Sequence, residues 1–213
     1  MRYFHLLLVL SSSIAIGCNS QTADTVDAPA VEVKAAGEGD DVTTSSMAGN
    51  DEMVMTPENT LIQFVGTHVG PTPDPKARTG KFGDFSGKAI MADEQLKSVS
   101  VDIQIASVDT GMEKLNNHLQ AEDFFSVREY PTAKFESTKI EPGENGEHNV
   151  TGALTLHSKT NEISFPASIE MTDGSLNFSG KLTLDRTEFG MDQNTEKVNK
   201  EVDLTITIGN AAG

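Results

Sequence analysis

The residues best suited to chemistry are few and scattered. The five histidines are His5, His68, His118, His148 and His157. No two stand at i, i+4, and no HExxH occurs, so the usual zinc signatures are absent. The single cysteine, Cys18, excludes a disulfide framework and a thiolate-rich metal site. Serines are plentiful, but none sits in a nucleophile elbow, and no Ser-His-Asp set follows from spacing. No Gly-rich loop follows a strand and opens a helix to cradle phosphate. The pattern points to binding rather than catalysis, with no metal and no cofactor.

Two groups of polar residues remain of interest. His68 and Arg78 bracket the Pro- and Gly-rich loop THVGPTPDPKAR. At a rim, a guanidinium suits a phosphate or carboxylate. An exposed surface loop is the plainer alternative. His118 lies beside Leu119, either near a ligand or simply bonded to a neighbouring carbonyl or carboxylate. Asp185, Arg186 and Glu188 form the second group, before Phe189 and Gly190. There Arg186 is expected to pair with a buried carboxylate and lock the end of the fold.

The surroundings of these residues narrow the partner class. The 213-residue chain carries a formal net charge of −16. Such a surface repels nucleic acid and anionic lipid headgroups. The chain opens MRYFHLLLVLSSSIAIGCNSQ, with a basic Arg2, an apolar run and small Ala15 and Gly17 before Cys18. This is a secretory signal, too short to be a stable membrane span. AIGC is similar to a bacterial lipobox, with Ala15 where Leu is usual. Lipidation of Cys18 would anchor an exported protein, periplasmic or at the cell surface, without a transmembrane helix. A plain signal peptide that leaves a free thiol is the alternative.

Residues 19–56 are small, polar and acidic, with eight acidic residues against one Lys and no aromatic. They cannot bury enough apolar surface to offset their ordering entropy, and so read as an extended tether. The fold is expected over residues 57–209. There, period two dominates. Val99, Val101, Ile103 and Ile105 share one face, as do Ile163, Phe165, Ala167, Ile169 and Met171. Leu176, Phe178, Leu182 and Leu184 repeat the pattern, as do Val202, Leu204, Ile206 and Ile208, with shorter cases around Phe135, Leu154 and Leu156. Each is a strand with one wet and one buried face. Turn sequences such as PGENG and TDGS join them into an antiparallel sandwich or barrel. Pro166 marks an edge or a bulge.

One stretch departs from this period. Met112, Leu115 and Leu119 fall at helical spacing, then come Phe124, Phe125 and Tyr130 before Pro131. A lone helical insert must lay its apolar side on something, and the open end of the β-structure is the available partner.

Five segments then carry a resemblance: TGKFGDFSG, VDIQIASVDTG, NNHLQAEDFFSVREYPTAKFES, VTGALTL and LDRTEFGM. In this order they resemble the YceI-like family of exported bacterial proteins, across almost all of residues 57–209. His157-Ser158-Lys159-Thr160 replaces the Gly-Val-Thr turn common in the family, and Arg78 stands where many relatives have His. The resemblance implies an all-β fold, an antiparallel lipocalin-like β-barrel with a short helical insert capping one end. It also implies a lumen that holds an isoprenoid or fatty-acyl lipid. The expected lumen and lid residues are Phe64, Val101, Ile103, Met112, Leu115, Leu119, Phe124, Phe125, Phe135, Leu154, Leu156, Ile169, Phe178 and Leu182. His68, Arg78 and His118 are the expected headgroup contacts. A filled barrel that acts through its outer surface, in stress response or protein interaction, is the alternative.

Overall fold

The computed structural model describes residues 51–70 and 76–209. The signal segment, Cys18, the tether as far as residue 50 and the stretch 71–75 lie outside the described residues. Eleven strands are described: β1 Asp51–Met55, β2 Thr60–His68, β3 Lys76–Phe82, β4 Phe85–Ala92, β5 Gln95–Gln104, β6 Val108–Asp109, β7 Thr132–Pro142, β8 His148–Leu156, β9 Lys159–Thr172, β10 Ser175–Asp185 and β11 Val198–Ile208. Among the described residues there is one α-helix, α1, spanning Glu113–Leu119. The strands form one sheet, ordered β1-β4-β5-β7-β8-β9-β10-β11-β2-β3-β6, and every pairing is antiparallel. The chain is therefore an antiparallel, lipocalin-like β-structure with one helical insert.

A bent pair of strands curls the sheet. β3 runs into β4 through Gly83 and Asp84, while β5 runs into β6 through the 3₁₀ turn Ile105–Ser107. Phe82 faces Val108 on one side of this corner, and Phe85 faces Ile103 on the other. Between them the Gly83 N–H donates to the Ser107 carbonyl (3.2 Å), and the Gln104 N–H donates to the Asp84 carbonyl (3.0 Å). The bent pair thus forms one margin of the sheet as β3–β6 and lies next to β1 at the other as β4–β5, so the corner brings the two ends of the sheet together.

Alternation directs side chains as the sequence predicts. Val99, Val101 and Ile103 of β5 are buried, while Asp102 and Gln104 are exposed. Leu176 and Phe178 of β10 are buried. Tight turns keep the register. At the β9–β10 hairpin, Asp173 (φ 51°) and Gly174 (φ 75°) both take left-handed backbone, matching the twist of the flanking strands.

The fold starts earlier than the sequence suggests. β1 occupies Asp51–Met55, within the stretch assigned to the tether, and pairs with β4. Its five residues DEMVM are too few to display a period, and their acidic start continues the tether's composition. Tertiary pairing makes them a strand: Met55 is 1% exposed and packs beside Gly87. Pro166 sits where the wall divides. Pairing of β9 with β10 ends at Ala167 opposite Gly180, so β9 is a local edge there and tolerates a residue without an N–H.

Candidate functional site

Strands β2 and β3 show how the lumen is built. Along β2 the positions Ile62, Phe64, Gly66 and His68 share one face. In the β2–β3 register, Phe64 stands opposite Gly80, Gly66 opposite Arg78, and His68 opposite Lys76. The inward face of this hairpin thus passes from aromatic to cationic as it leaves the barrel. Gly80 is required here, because a Cβ would lie 2.3 Å from the Phe64 ring.

Three adjoining spaces, which share lining residues, follow this axis. A distal chamber of about 80 Å³ is lined only by apolar residues, among them Val101, Phe135, Phe178 and Leu182. Ile62, Ile103, Leu154 and Leu204 line both it and a central chamber of about 150 Å³. Phe64, Gly66, Leu119, Phe124 and Val198 then line both the central chamber and a mouth of about 340 Å³. The mouth adds Thr67, His68, Lys76, Arg78, Thr110, Leu115 and His118.

The lid comes from α1 and the turns after it. Asn116 anchors the helix: its Oδ1 accepts from the Thr110 N–H (2.8 Å) and from Thr110 Oγ1 (2.7 Å). The Phe125 N–H donates to the Leu119 carbonyl at 3.0 Å, which folds the chain back under the helix. The Phe125 ring meets Phe64 edge-on at 6.5 Å and Phe82 at 6.1 Å. Phe124 is buried, with His118 4.9 Å from its ring. The twin phenylalanines therefore cover the barrel from within.

The expected site residues mostly gather on this channel. Phe64, Ile103, Leu119, Phe124, Phe125, Leu154 and Leu156 line the central chamber. Val101, Phe135, Phe178 and Leu182 line the distal one. Leu115, His68, Arg78 and His118 line the mouth. Two expectations are corrected. Met112 has extended backbone (φ −132°) before the first residue of α1 and is 42% exposed, so it is not part of the helical stripe. Ile169 faces inward on β9 and packs on the core, but it lies beyond the distal chamber, opposite Phe178.

Arg186 departs from expectation as well. It is 4% exposed, and among the described residues it finds no buried carboxylate. Its guanidinium donates to the carbonyls of Asn199 (3.1 Å), Gln193 (2.9 Å), Val198 (3.1 Å) and Met191. Val198 and Asn199 belong to the irregular register where β11 leaves and rejoins β2, between Val198 and Val202. Arg186 thus clamps the bulge that shapes the mouth, with its guanidinium carbon 5.9 Å from the Phe124 ring centre. Burial pulls its pKa below the usual guanidinium value. Asp185 turns outward: its carboxylate accepts from the Thr187 hydroxyl (2.6 Å) and from Lys200 (2.9 Å). These contacts, Thr187 first, lower its pKa to about 2.

Lys76 and Gly66 were not singled out by sequence reasoning, and Arg186 was read only as a lock on the end of the fold. Lys76, Arg78, Gly80 and Phe82 do alternate, so reading the parity back from Phe82 would have found Lys76. Arg186, Phe189 and Met191 reach the central chamber from an irregular segment, which carries no period. Among the described residues, no three His, Cys, Asp or Glu side chains come together in a metal-holding group.

Comparison with known proteins agrees with this architecture. The YceI-like domain family model matches residues 53–209. A UPF0312 protein of Photorhabdus laumondii is 32% identical over 177 residues, covering 78% of this chain and 88% of its own. A UPF0312 protein of Pseudomonas aeruginosa is 30% identical over 174 residues, covering 76% and 87%. Among solved structures, Burkholderia cenocepacia BcnA superposes with a TM-score of 0.62 at 25% identity, over 70% of this chain and 94% of BcnA. A polyisoprenoid binding domain from Saccharophagus degradans shares the fold at a TM-score of 0.56 and 13% identity, over 76% of this chain and 99% of that domain.

Proposed function

This chain belongs to the YceI-like domain family, and on that premise we propose that it is a binding protein for a slender apolar lipid, an isoprenoid or fatty-acyl chain. One observation carries the reading: the enclosed chambers are lined almost wholly by apolar side chains and open through Gly66 and Phe64 to a polar mouth. Burial of a hydrocarbon chain contributes roughly 0.8 kcal/mol per CH₂, so even a partly enclosed chain is held usefully. The fold shared with the Saccharophagus degradans domain, described as polyisoprenoid binding, is compatible with this use. No reaction is required of the site; it sequesters or carries an insoluble molecule.

We place this activity outside the cytoplasm. The signal-like leader and Cys18 support export and a lipid anchor, and the acidic residues before β1 would let the barrel reach away from its membrane. Metabolic labelling with a palmitate analogue, compared between the native chain and Cys18→Ser, tests the anchor. Label on the native chain alone supports it, and label on neither removes it.

The binding reading is tested by native mass spectrometry of the chain exported in a bacterium, followed by solvent extraction. A discrete added mass, lost on extraction and identified as a prenyl or acyl lipid, is expected. A clean protein mass, with no uptake of offered prenyl and fatty-acyl lipids, would move the function to the outer surface.

A further inference from the structure

The mouth is a cationic enclosure in an acidic protein. The chain has 32 Asp and Glu against 16 Lys and Arg. Yet the described residues lining the mouth include Lys76, Arg78, His68 and His118, and no carboxylate. The β2–β3 register sets Lys76 directly opposite His68, with Arg78 two residues further in, opposite Gly66. All three project from the inward face of the hairpin, at the end of the apolar channel. Among the described residues, neither Lys76 nor Arg78 takes part in a salt bridge. His68 Nδ1 accepts from the Gly70 N–H at 3.3 Å, which leaves Nε2 as its N–H donor. His118 has one acidic neighbour, Asp123, 3.9 Å from its Nε2. That carboxylate also accepts from Asn194 at 3.0 Å and does not line the mouth.

A neutral lipid does not account for this arrangement. Two cations with no acidic partner among the described residues, beside a hydrocarbon channel, match an amphiphile whose head is an oxyanion. We propose that the ligand carries a phosphate or carboxylate head, held by Arg78 and Lys76 with His68 and His118 beside them, while its chain enters past Gly66. This inference rests on the lipid-binding reading above and adds the head to it. The acidic remainder of the surface repels anionic bilayers, so the cationic mouth selects a single extracted molecule rather than a membrane face.

The test compares farnesyl phosphate with farnesol, and palmitate with hexadecanol, on the full chain by calorimetry or tryptophan-free fluorescent displacement. Each anionic member should bind roughly tenfold or more tightly than its alcohol, with the difference shrinking as salt rises. In the double variant Lys76→Gln, Arg78→Gln the ratio should fall to about one, and Arg78→Lys should restore part of it. Equal affinity for acid and alcohol in the native chain overturns the headgroup assignment and leaves lipid binding standing. Binding of neither removes both. Inorganic phosphate alone binding as tightly as farnesyl phosphate would make the mouth a free-oxyanion site and overturn the proposal. The salt dependence is read on the native chain, so the result does not depend on the variants folding.

Discussion

The ring of Phe125 stands edge-on to that of Phe64, with centroids 6.5 Å apart and planes at 82°. One residue belongs to the lid and the other to strand β2, so this contact is where the helical insert grips the barrel. Phe82 completes the cluster, 5.6 Å from Phe64 and 6.1 Å from Phe125. The lid is therefore attached by aromatic packing above the central chamber. A chain that passed beneath the lid would have to part these rings.

Phe125→Ala should loosen that attachment. The side chain is half-buried and belongs to an aromatic cluster, so a loss of about 2–3 kcal/mol is expected, below the usual range for a fully buried Phe. Urea unfolding reads the loss. The same variant should take up a farnesyl chain faster, because fewer contacts must part. An unchanged uptake rate would show that chains do not pass beneath the lid.

Gly66 controls the neck. It lines both the central chamber and the mouth, and nothing lies within 4 Å of the place a Cβ would occupy. Gly66→Phe should fill that space with little cost to folding and reduce prenyl-chain affinity at least about tenfold, the equivalent of about 1.4 kcal/mol. Native affinity in this variant would mean that the chain reaches the lumen elsewhere. The division of the wall between β9 and β10, where a cleft of about 670 Å³ opens, would be the first alternative.

Arg186 should not tolerate lysine. One ammonium cannot reach four carbonyls spread over residues 191–199, and those left unpaired stay buried. Arg186→Lys is expected to cost about 3 kcal/mol by thermal or urea unfolding. Hydrogen exchange should rise first at residues 198–202, the bulge that the guanidinium holds. Exchange rising evenly over the whole sheet would mean that the residue supports general stability rather than the mouth.

Acid stability should depend on Asp185. Its folded pKa, about 2, lies below the ordinary value of 3.8, so its contribution is fully present above roughly pH 4 and is lost as pH falls through about 2. Asp185→Asn should flatten the stability curve between about pH 4 and 2 while changing its shape little above pH 5. An identical acid limb in the variant would assign that limb to other carboxylates. Lys200, the partner at 2.9 Å, is held charged by the same contact and should give a parallel effect when replaced by Met.

The amino-acid sequence determined the class of structure because a strand's period is local. Val99 to Ile105 or Leu176 to Leu184 alternate wherever they are placed, and burying one face of each forces a sheet with an inside. The helical spacing of Leu115 and Leu119 was legible for the same reason, and the quoted DFFSVREYP segment was enough to indicate a lid. Other features arose only from tertiary contact. β1 is a strand because β4 offers an edge to Met53 and Met55, not because five residues show a period. Met112 lost its place in the helical stripe when the helix began one residue later. Arg186 met backbone carbonyls instead of a carboxylate because a β11 bulge, which has no sequence period, happens to present them. The cationic mouth likewise needed the register of β2 against β3: Lys76 and His68 are eight positions apart in the chain, and only cross-strand pairing sets them face to face.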